Sequence, residues 1–354
     1  VAPDVPLAIV GGGPVGLVCA LFAAEAGLDP VVIEPRTAPI DKACGEGLMP
    51  GAWRLVRELG LEPAGADLRG VVYVQGDARA EHRFRRATGR GVARVELHAA
   101  VAARVAERGI QVIPGRVDAV ERHDDHVTLS GPGLDPLTAG HVIGADGLHS
   151  RVRELVGLGA RGQQASARRF GLRRHYTLAP WTDNIEVRWT PNAEFYVTPL
   201  GPELIGVALL GRRGTDFATV LADEPELAAL LRADAAGDSP AQVGGVRGAG
   251  PLLQRTTART AGRVLLVGDA SGYVDALTGE GLRLGFAQAK AAIAAIVAGD
   301  VRRYEREWLS ITRDFRALTS ALVLAARSPL RRAIVPAAVR LPGVYGGIVE
   351  RLAR

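Results

Sequence analysis

The stretch Leu7-Ala8-Ile9-Val10-Gly11-Gly12-Gly13-Pro14-Val15-Gly16-Leu17-Val18-Cys19-Ala20 decides the fold. Its four leading apolar residues read as a short buried strand, and the glycines after them open a small-residue helix over residues 14–26. A second apolar run, Pro30-Val31-Val32-Ile33, makes the opening β-α-β. Gly11, Gly13 and Gly16 stand in G-x-G-x-x-G order, with Pro14 and Val15 inside the same turn. Glycine there permits the tight turn, the close approach of a pyrophosphate and helix-on-strand packing, with phosphate on the helix N-terminus. Glu34 ends the second strand, where a carboxylate can accept ribose hydroxyls. Arg36, two residues on, can face the adenine or pyrophosphate, or form a surface ion pair.

Two further glycine turns follow apolar runs. Gly144-Ala145-Asp146-Gly147, with Ser150, Arg151 and Arg153 downstream, either fixes backbone beside a cofactor or is an ordinary Asp-Gly turn. Gly268-Asp269-Ala270 follows a strand at 264–267, and Gly279-Glu280-Gly281-Leu282 opens a long helix that ends before Gly299. The Asp269 carboxylate can bond a ribityl hydroxyl, and the helix N-terminus at Gly281 can stabilise negative charge on a reduced flavin ring. Adenosine, pyrophosphate and ribityl groups each find a partner in turn, so the expected cofactor is FAD.

Composition narrows the class. A chain of 354 residues, 47% hydrophobic and with 44 glycines, reads as a globular α/β protein with a Rossmann-type domain and insertions. Two cysteines, Cys19 and Cys44, suggest neither a disulfide framework nor a metal site, and a cytoplasmic location is the default. The early first strand speaks against a signal peptide, and no apolar run reaches the ~18 residues of a membrane span. The net charge is +5, but the arginines are scattered and aromatics make up only 5%. Nucleic acid is therefore not the expected partner; a small-molecule substrate is.

Further along, a helix is expected at 52–59, a hairpin at 70–74 and 81–85, a returning helix at 95–107, and strands at 111–114, 117–122, 126–130 and 141–143. From about Gly162 to Gly250 the pattern is predominantly β, with strands at 185–189, 194–198 and 204–210. The expected division is an FAD-binding domain of 1–69, 88–160 and 255–300, a β-rich substrate domain of 70–87 and 161–254, and a C-terminal helical cap of 301–354. In that tail Leu330, Ile334, Ala337, Val339 and Leu341 lie among Arg331, Arg332 and Arg340, broken by Pro329, Pro336 and Pro342. We read it as a cap over the pocket, with a membrane-surface segment as the alternative.

The three motifs, in this order and spacing, resemble the single-domain flavoprotein hydroxylases typified by para-hydroxybenzoate hydroxylase, together with their relatives the geranylgeranyl reductases. The resemblance covers residues 5 to about 300. It implies that the first motif and Glu34 hold the ADP part, that the Asp146–Gly147 turn serves FAD, that Gly268 and Asp269 hold the ribityl chain, and that Arg94 contacts FAD. It also implies that the loop carrying Cys44 approaches the isoalloxazine. The hydroxylases often carry Asp-Ala-Ala-His-x-x-x-Pro after the acidic residue, where this chain has Asp269-Ala270-Ser271-Gly272-Tyr273-Val274-Asp275-Ala276. The segment Asp41-Lys42-Ala43-Cys44-Gly45-Glu46-Gly47-Leu48, with Thr278-Gly279-Glu280-Gly281, is more similar to the reductase branch.

Strand alternation puts Arg173 and His175 on one face and Glu194, Tyr196 and Thr198 on another, each a face that can look at the flavin. Tyr196 and His175 are candidates to orient or deprotonate a phenol, and Cys44 is a third catalytic candidate. The leading expectation is an NAD(P)H-dependent monooxygenase of secondary metabolism. It would use O2 and a flavin C4a-hydroperoxide to hydroxylate an aromatic or polyketide-type molecule. The alternative is a reductase or dehydrogenase of carbon-carbon bonds in an isoprenoid or similar lipid. A flavin-dependent halogenase lacks support, since W-x-W-x-I-P is missing and the two lysines, Lys42 and Lys290, do not match its catalytic position. A flavin-containing binding protein or redox-neutral cyclase remains a separate class.

Overall fold

The opening residues form the strand Val5–Val10, the helix Pro14–Glu25 and the strand Pro30–Ile33 in the computed structural model, which describes residues 2–160, 169–232 and 242–354. Pro14 sits in the first helical turn, where its missing N–H costs nothing. Leu7 to Val10 and Pro30 to Ile33 are all buried, as parallel strands covered on both faces require.

Val5–Val10 is the central strand of the first sheet. It runs parallel to Pro30–Ile33 on one side and to Leu134–Gly144 on the other. Gln111–Ile113 extends the sheet beyond Pro30–Ile33, and Val264–Leu266 extends it beyond Leu134–Gly144, both in parallel. The register pairs Val10 with Ile33 and with Gly144, and Gly144 with Leu266. All three glycine motifs therefore leave the sheet at one edge, the carboxyl ends of its strands, where ligands of such sheets bind.

Leu134–Gly144 is eleven residues long, against the three expected at 141–143. Antiparallel pairing with Val127–Gly131 carries it back through Pro136, and the ladder shifts register beside that proline. The hairpin is also tighter than expected: Gly70–Gln75 and Ala78–Arg83 pair across a two-residue Gly76-Asp77 turn, with Gly76 at φ 53.

The second sheet has the order Gln242–Ala249, Arg169–Tyr176, Leu204–Arg212, Glu194–Gly201, Asn184–Trp189, Gly70–Gln75, Ala78–Arg83. Among the described residues of this sheet, only Asn184–Trp189 and Gly70–Gln75 pair in parallel. One face packs Phe195, Val197, Val207 and Leu209 against Phe217, Leu227 and Leu231. Those last three lie on the helices Phe217–Ala222 and Pro225–Arg232, inside the region expected to be predominantly β. Asp216 caps the first by accepting from the Thr219 N–H at 2.8 Å, and Pro225 opens the second. The expected start of the β region at Gly162 and the stretch 233–241 lie outside the described residues.

The sheet's other face carries Val187, Trp189 and Tyr196 and packs against Phe315, Val335, Tyr345 and Val349. These belong to the long helix Val301–Ala326 and to the helices Ile334–Arg340 and Pro342–Leu352. The Tyr345 hydroxyl donates to the Val71 carbonyl at 3.0 Å, and the Gly51 N–H donates to the Ala353 carbonyl at 2.9 Å. A small antiparallel sheet of Gly47–Leu48, Gly89–Gly91 and Ala66–Leu68 joins the Cys44 loop to the start of the helix Arg94–Glu107.

Candidate cofactor and active site

The first turn is shaped by its own backbone. Gly11 is at φ 112, its N–H donates to the Ile33 carbonyl at 2.9 Å, and a Cβ there would stand 2.6 Å from the Ala145 carbonyl oxygen. A Cβ on Gly16 would stand 1.9 Å from the Gly11 oxygen. Gly13 differs: the nearest atom to an added Cβ is Arg94 Nη2 at 4.0 Å, so this glycine faces open space. Arg94 is itself buried, with its Nε unpartnered among the described residues, and burial pulls its guanidinium below its ordinary range. His98, on the same helix, holds the turn from behind through Nε2 to the Gly12 carbonyl at 2.8 Å.

Glu34 is buried, and its Oε2 accepts from the Gly12 N–H at 2.8 Å. Arg36 donates to it from Nε at 2.7 Å and from its backbone N–H at 3.0 Å. Burial alone would push this carboxyl up, but Arg36 and the Gly12 N–H more than offset it and hold it below the usual range. Of the two expectations for Arg36, the structure contains the ion pair.

The second and third turns meet through Arg153. Its guanidinium donates to the carbonyls of Ala270 (3.2 Å) and Leu148 (2.9 Å) and to Gln254 Oε1 (3.0 Å). Asp146 accepts from the Val152 N–H at 3.0 Å through Oδ2, while its buried Oδ1 has no partner among the described residues; burial pushes this carboxyl up. Gly268 is at φ 60 and donates its N–H to Gln288 Oε1 at 2.7 Å. Asp269 stays partly exposed, with Lys42 Nζ 3.7 Å from its carboxylate. A Cβ on Gly147 would lie 3.4 Å from the same Nζ, so Lys42 stands between the two turns.

Gly279, at φ 69, ends the turn before the helix Gly281–Val297, and the half-buried Leu282 packs that helix onto the core. Glu280 is fully buried and its carboxyl is pushed up to about 7 by burial, against the pull of its partner Arg283. Asp275 is pushed up to about 6, again mainly by burial.

The Cys44 loop lies under the second sheet. Glu46 is buried at φ 60; one carboxylate oxygen accepts from the Arg94 N–H at 2.8 Å, and the other is 2.7 Å from His175 Nε2. Arg173 Nε lies 3.7 Å from Glu46, and the Arg173 guanidinium also pairs with Asp41. Thr198 donates to the Gly45 carbonyl at 2.9 Å. Cys44 Sγ accepts from the Glu46 N–H at 3.4 Å, and burial pushes the thiol up. Arg173 and His175, expected on one strand face, do share it, and that face looks at this loop.

Tyr196 lies two strands away in the same sheet, with Leu204–Arg212 between, on the side that meets the third motif, and its hydroxyl donates to the Leu277 carbonyl at 2.8 Å. Burial pushes this phenol well above its ordinary range, and its hydroxyl hydrogen is engaged in holding the Leu277 turn. Glu194, on the same face, is spent on Arg169 and Arg331 rather than on the loop.

Sequence reasoning missed Glu46, Lys42, His98 and the bridging role of Arg153. Glu46 had one local signal, its place between Gly45 and Gly47; the others depend on contacts between distant segments. Among the described residues no group of three His, Cys, Asp or Glu side chains is arranged to hold a metal, and no helix is long and apolar enough to cross a membrane.

The model of the FAD binding domain family matches residues 4–300. Menaquinone reductase of Mycolicibacterium smegmatis is 26% identical over 348 residues, covering 87% of this chain and 80% of that protein. Digeranylgeranylglycerophospholipid reductase 1 of Methanopyrus kandleri is 29% identical over 338 residues, 86% of each chain. A flavoprotein/dehydrogenase of Cytophaga hutchinsonii superposes with a TM-score of 0.80 at 17% identity, covering 99% of this chain and 92% of that one.

Proposed function

The chain belongs to the FAD binding domain family, as an FAD-dependent oxidoreductase of the para-hydroxybenzoate hydroxylase-like fold, and from that premise we propose that it reduces carbon-carbon double bonds in the isoprenoid chain of a lipid. The residues present fit FAD: the space beside Gly13 is open, while the buried Arg94 Nε and Asp146 Oδ1 wait for partners. In this reading Gly11, Gly13, Pro14, Val15, Gly16 and Arg94 hold the pyrophosphate, and Glu34 with Arg36 takes the adenosine ribose. Asp146 and Gly147 orient the second turn, and Gly268 and Asp269 hold the ribityl chain. Gly279, Glu280, Gly281 and Leu282 present a helix N-terminus to the ring. Bound FAD supplies the hydride, refilled by a two-electron donor of the NAD(P)H class.

The observation that carries the reading is the Cys44 loop. A double bond that takes up a hydride must also take up a proton, and this loop gathers protic groups in a buried setting. Burial keeps the Cys44 thiol protonated near neutral pH, and Glu46 fixes the orientation of the His175 imidazole. Oxygen insertion has less support: the His and Pro of the hydroxylase motif are replaced here by Gly272 and Ala276. Relatives that match more than four-fifths of the chain include a menaquinone reductase and a digeranylgeranylglycerophospholipid reductase.

The test is anaerobic incubation of the FAD-loaded protein, a reductant and a geranylgeranyl lipid or polyprenyl quinone. A product heavier by two hydrogens per double bond is expected, formed equally well without oxygen. A product carrying label from oxygen gas would replace this reading with hydroxylation.

A further inference from the structure

The C-terminal helices have two apolar faces, and only one is covered. Val335, Tyr345, Val349 and Leu352 point inward and are buried, and the contact is fixed by Tyr345 on Val71 and by Glu350 on His82 at 2.9 Å. A helix docked this way should turn polar residues outward. Instead Val344 and Ile348, four residues apart on one stripe, face outward. Leu324 (72% exposed), Leu330 (65%), Leu341 (56%) and Val339 (45%) are exposed on the neighbouring segments. Six of the eleven exposed large apolar residues among the described ones fall between 324 and 348, a concentration in this one short region.

The charge of this region is one-sided. From Phe315 to Val349 there is no Asp or Glu, and the arginines are Arg316, Arg327, Arg331, Arg332 and Arg340. Arg331 is buried on Glu194, and Arg316 stacks over Trp308. Arg327, Arg332 and Arg340 are exposed among the apolar side chains, with no side-chain ion pair among the described residues. A second copy joined through the same face would set arginine against arginine with no acid to answer. Apolar side chains ringed by free cations match a different partner, a bilayer with anionic headgroups.

We propose that the outer face formed by Leu324, Leu330, Val339, Leu341, Val344 and Ile348 docks on an anionic lipid surface, with Arg327, Arg332 and Arg340 against the headgroups. Pro329 and Pro342 each open a new short helical segment, while Pro336 lies in the first turn of Ile334–Arg340, and the apolar side chains of these short segments enter the interface without spanning it. This does not rest on the reductase reading; binding is measured without any turnover.

Flotation of the full chain with phosphatidylglycerol/phosphatidylcholine vesicles tests it. The wild-type protein is expected to rise with these vesicles and much less with phosphatidylcholine alone. Leu341→Ser/Val344→Ser and Arg332→Gln/Arg340→Gln should each reduce the floated fraction by roughly tenfold or more. Both variants should keep the wild-type melting temperature within a few degrees and the wild-type flavin spectrum, which separates lost docking from lost folding. Wild-type protein that stays at the bottom at low salt, or variants that float equally well, would overturn the proposal. So would light scattering that shows a dimer broken by the same substitutions, which would assign the face to a second copy.

Discussion

His175 Nε2 lies 2.7 Å from Glu46 Oε2, a buried contact that ties the seven-stranded sheet to the loop holding Cys44. Glu46 reaches it from φ 60, a backbone conformation uncommon outside glycine. Such strain persists only where surrounding contacts over-determine it. Here they do: the same carboxylate accepts from the Arg94 N–H, and Arg173 lies within 3.7 Å.

Removing this carboxylate should be felt in the fold. Glu46→Ala leaves the Arg94 N–H and His175 Nε2 unpaired in a buried setting, and we expect a loss of about 3 kcal/mol in urea unfolding. A double-mutant cycle of Glu46→Gln with His175→Phe should give a coupling of at least about 1 kcal/mol. Strict additivity would mean that the pair carries no interaction energy.

The glycines of the first turn should separate folding from cofactor binding. Gly16→Ala places a methyl group 1.9 Å from the Gly11 oxygen and should destabilise the FAD-free protein by more than about 2 kcal/mol. Gly13→Ala meets no atom closer than 4.0 Å, and its φ of −69° suits alanine, so stability should change by about 1 kcal/mol or less. The added methyl group then stands where the pyrophosphate is proposed to lie, and FAD affinity by calorimetry should fall at least tenfold, to about that order. Unchanged affinity would move the phosphate away from Gly13.

What the sequence made legible was whatever depends on neighbours along the chain. The glycine turn, Pro30–Ile33 and the third turn at Gly268 are each read from four to six adjacent residues, and the register of the first sheet then brings them to one edge. The helices Phe217–Ala222 and Pro225–Arg232 escaped because their apolar positions are decided by the sheet face they cover, not by local alternation. Lys42 escaped for a similar reason: nothing near it in sequence announces Asp269. The spacing rule for strand faces did succeed at Arg173 and His175, but it could not say that Glu46 would be the group they meet.

Acidity offers a third expectation. The unfolded chain gives up the Glu280 and Asp275 protons near the ordinary 4.5 and 3.8, while the folded FAD-free chain holds them to about 7 and about 6. Between these limits the folded state binds more protons, so stability falls as pH rises through the window. Glu280 alone should contribute on the order of 3 kcal/mol of this fall. Urea unfolding at pH 5 and pH 8 measures it, and Glu280→Gln should flatten most of the slope. A stability that rises over this range would show that Arg283 keeps Glu280 charged.

The proton donor of the proposed reduction can be told from residues that only hold the site. Tyr196 gives its hydroxyl hydrogen to the Leu277 carbonyl, so Tyr196→Phe should cost about 1 kcal/mol of stability and slow product formation only a few-fold. Cys44 is different, because burial keeps its thiol protonated and the loop places it beside Glu46, whose carboxylate meets His175. Cys44→Ala should lower the rate of double-bond reduction by about tenfold or more, as loss of a general acid does. It should leave the rate at which the external reductant bleaches the flavin unchanged. His175→Asn, which keeps a hydrogen-bonding group near Glu46 but cannot relay a proton, should behave like Cys44→Ala. In wild type the product-forming step should slow in heavy water, and in the variant with the missing donor that dependence should change. Equal losses in Tyr196→Phe and Cys44→Ala, with flavin bleaching slowed in both, would mean that Cys44 merely packs against the cofactor site. The proton would then have to come from solvent.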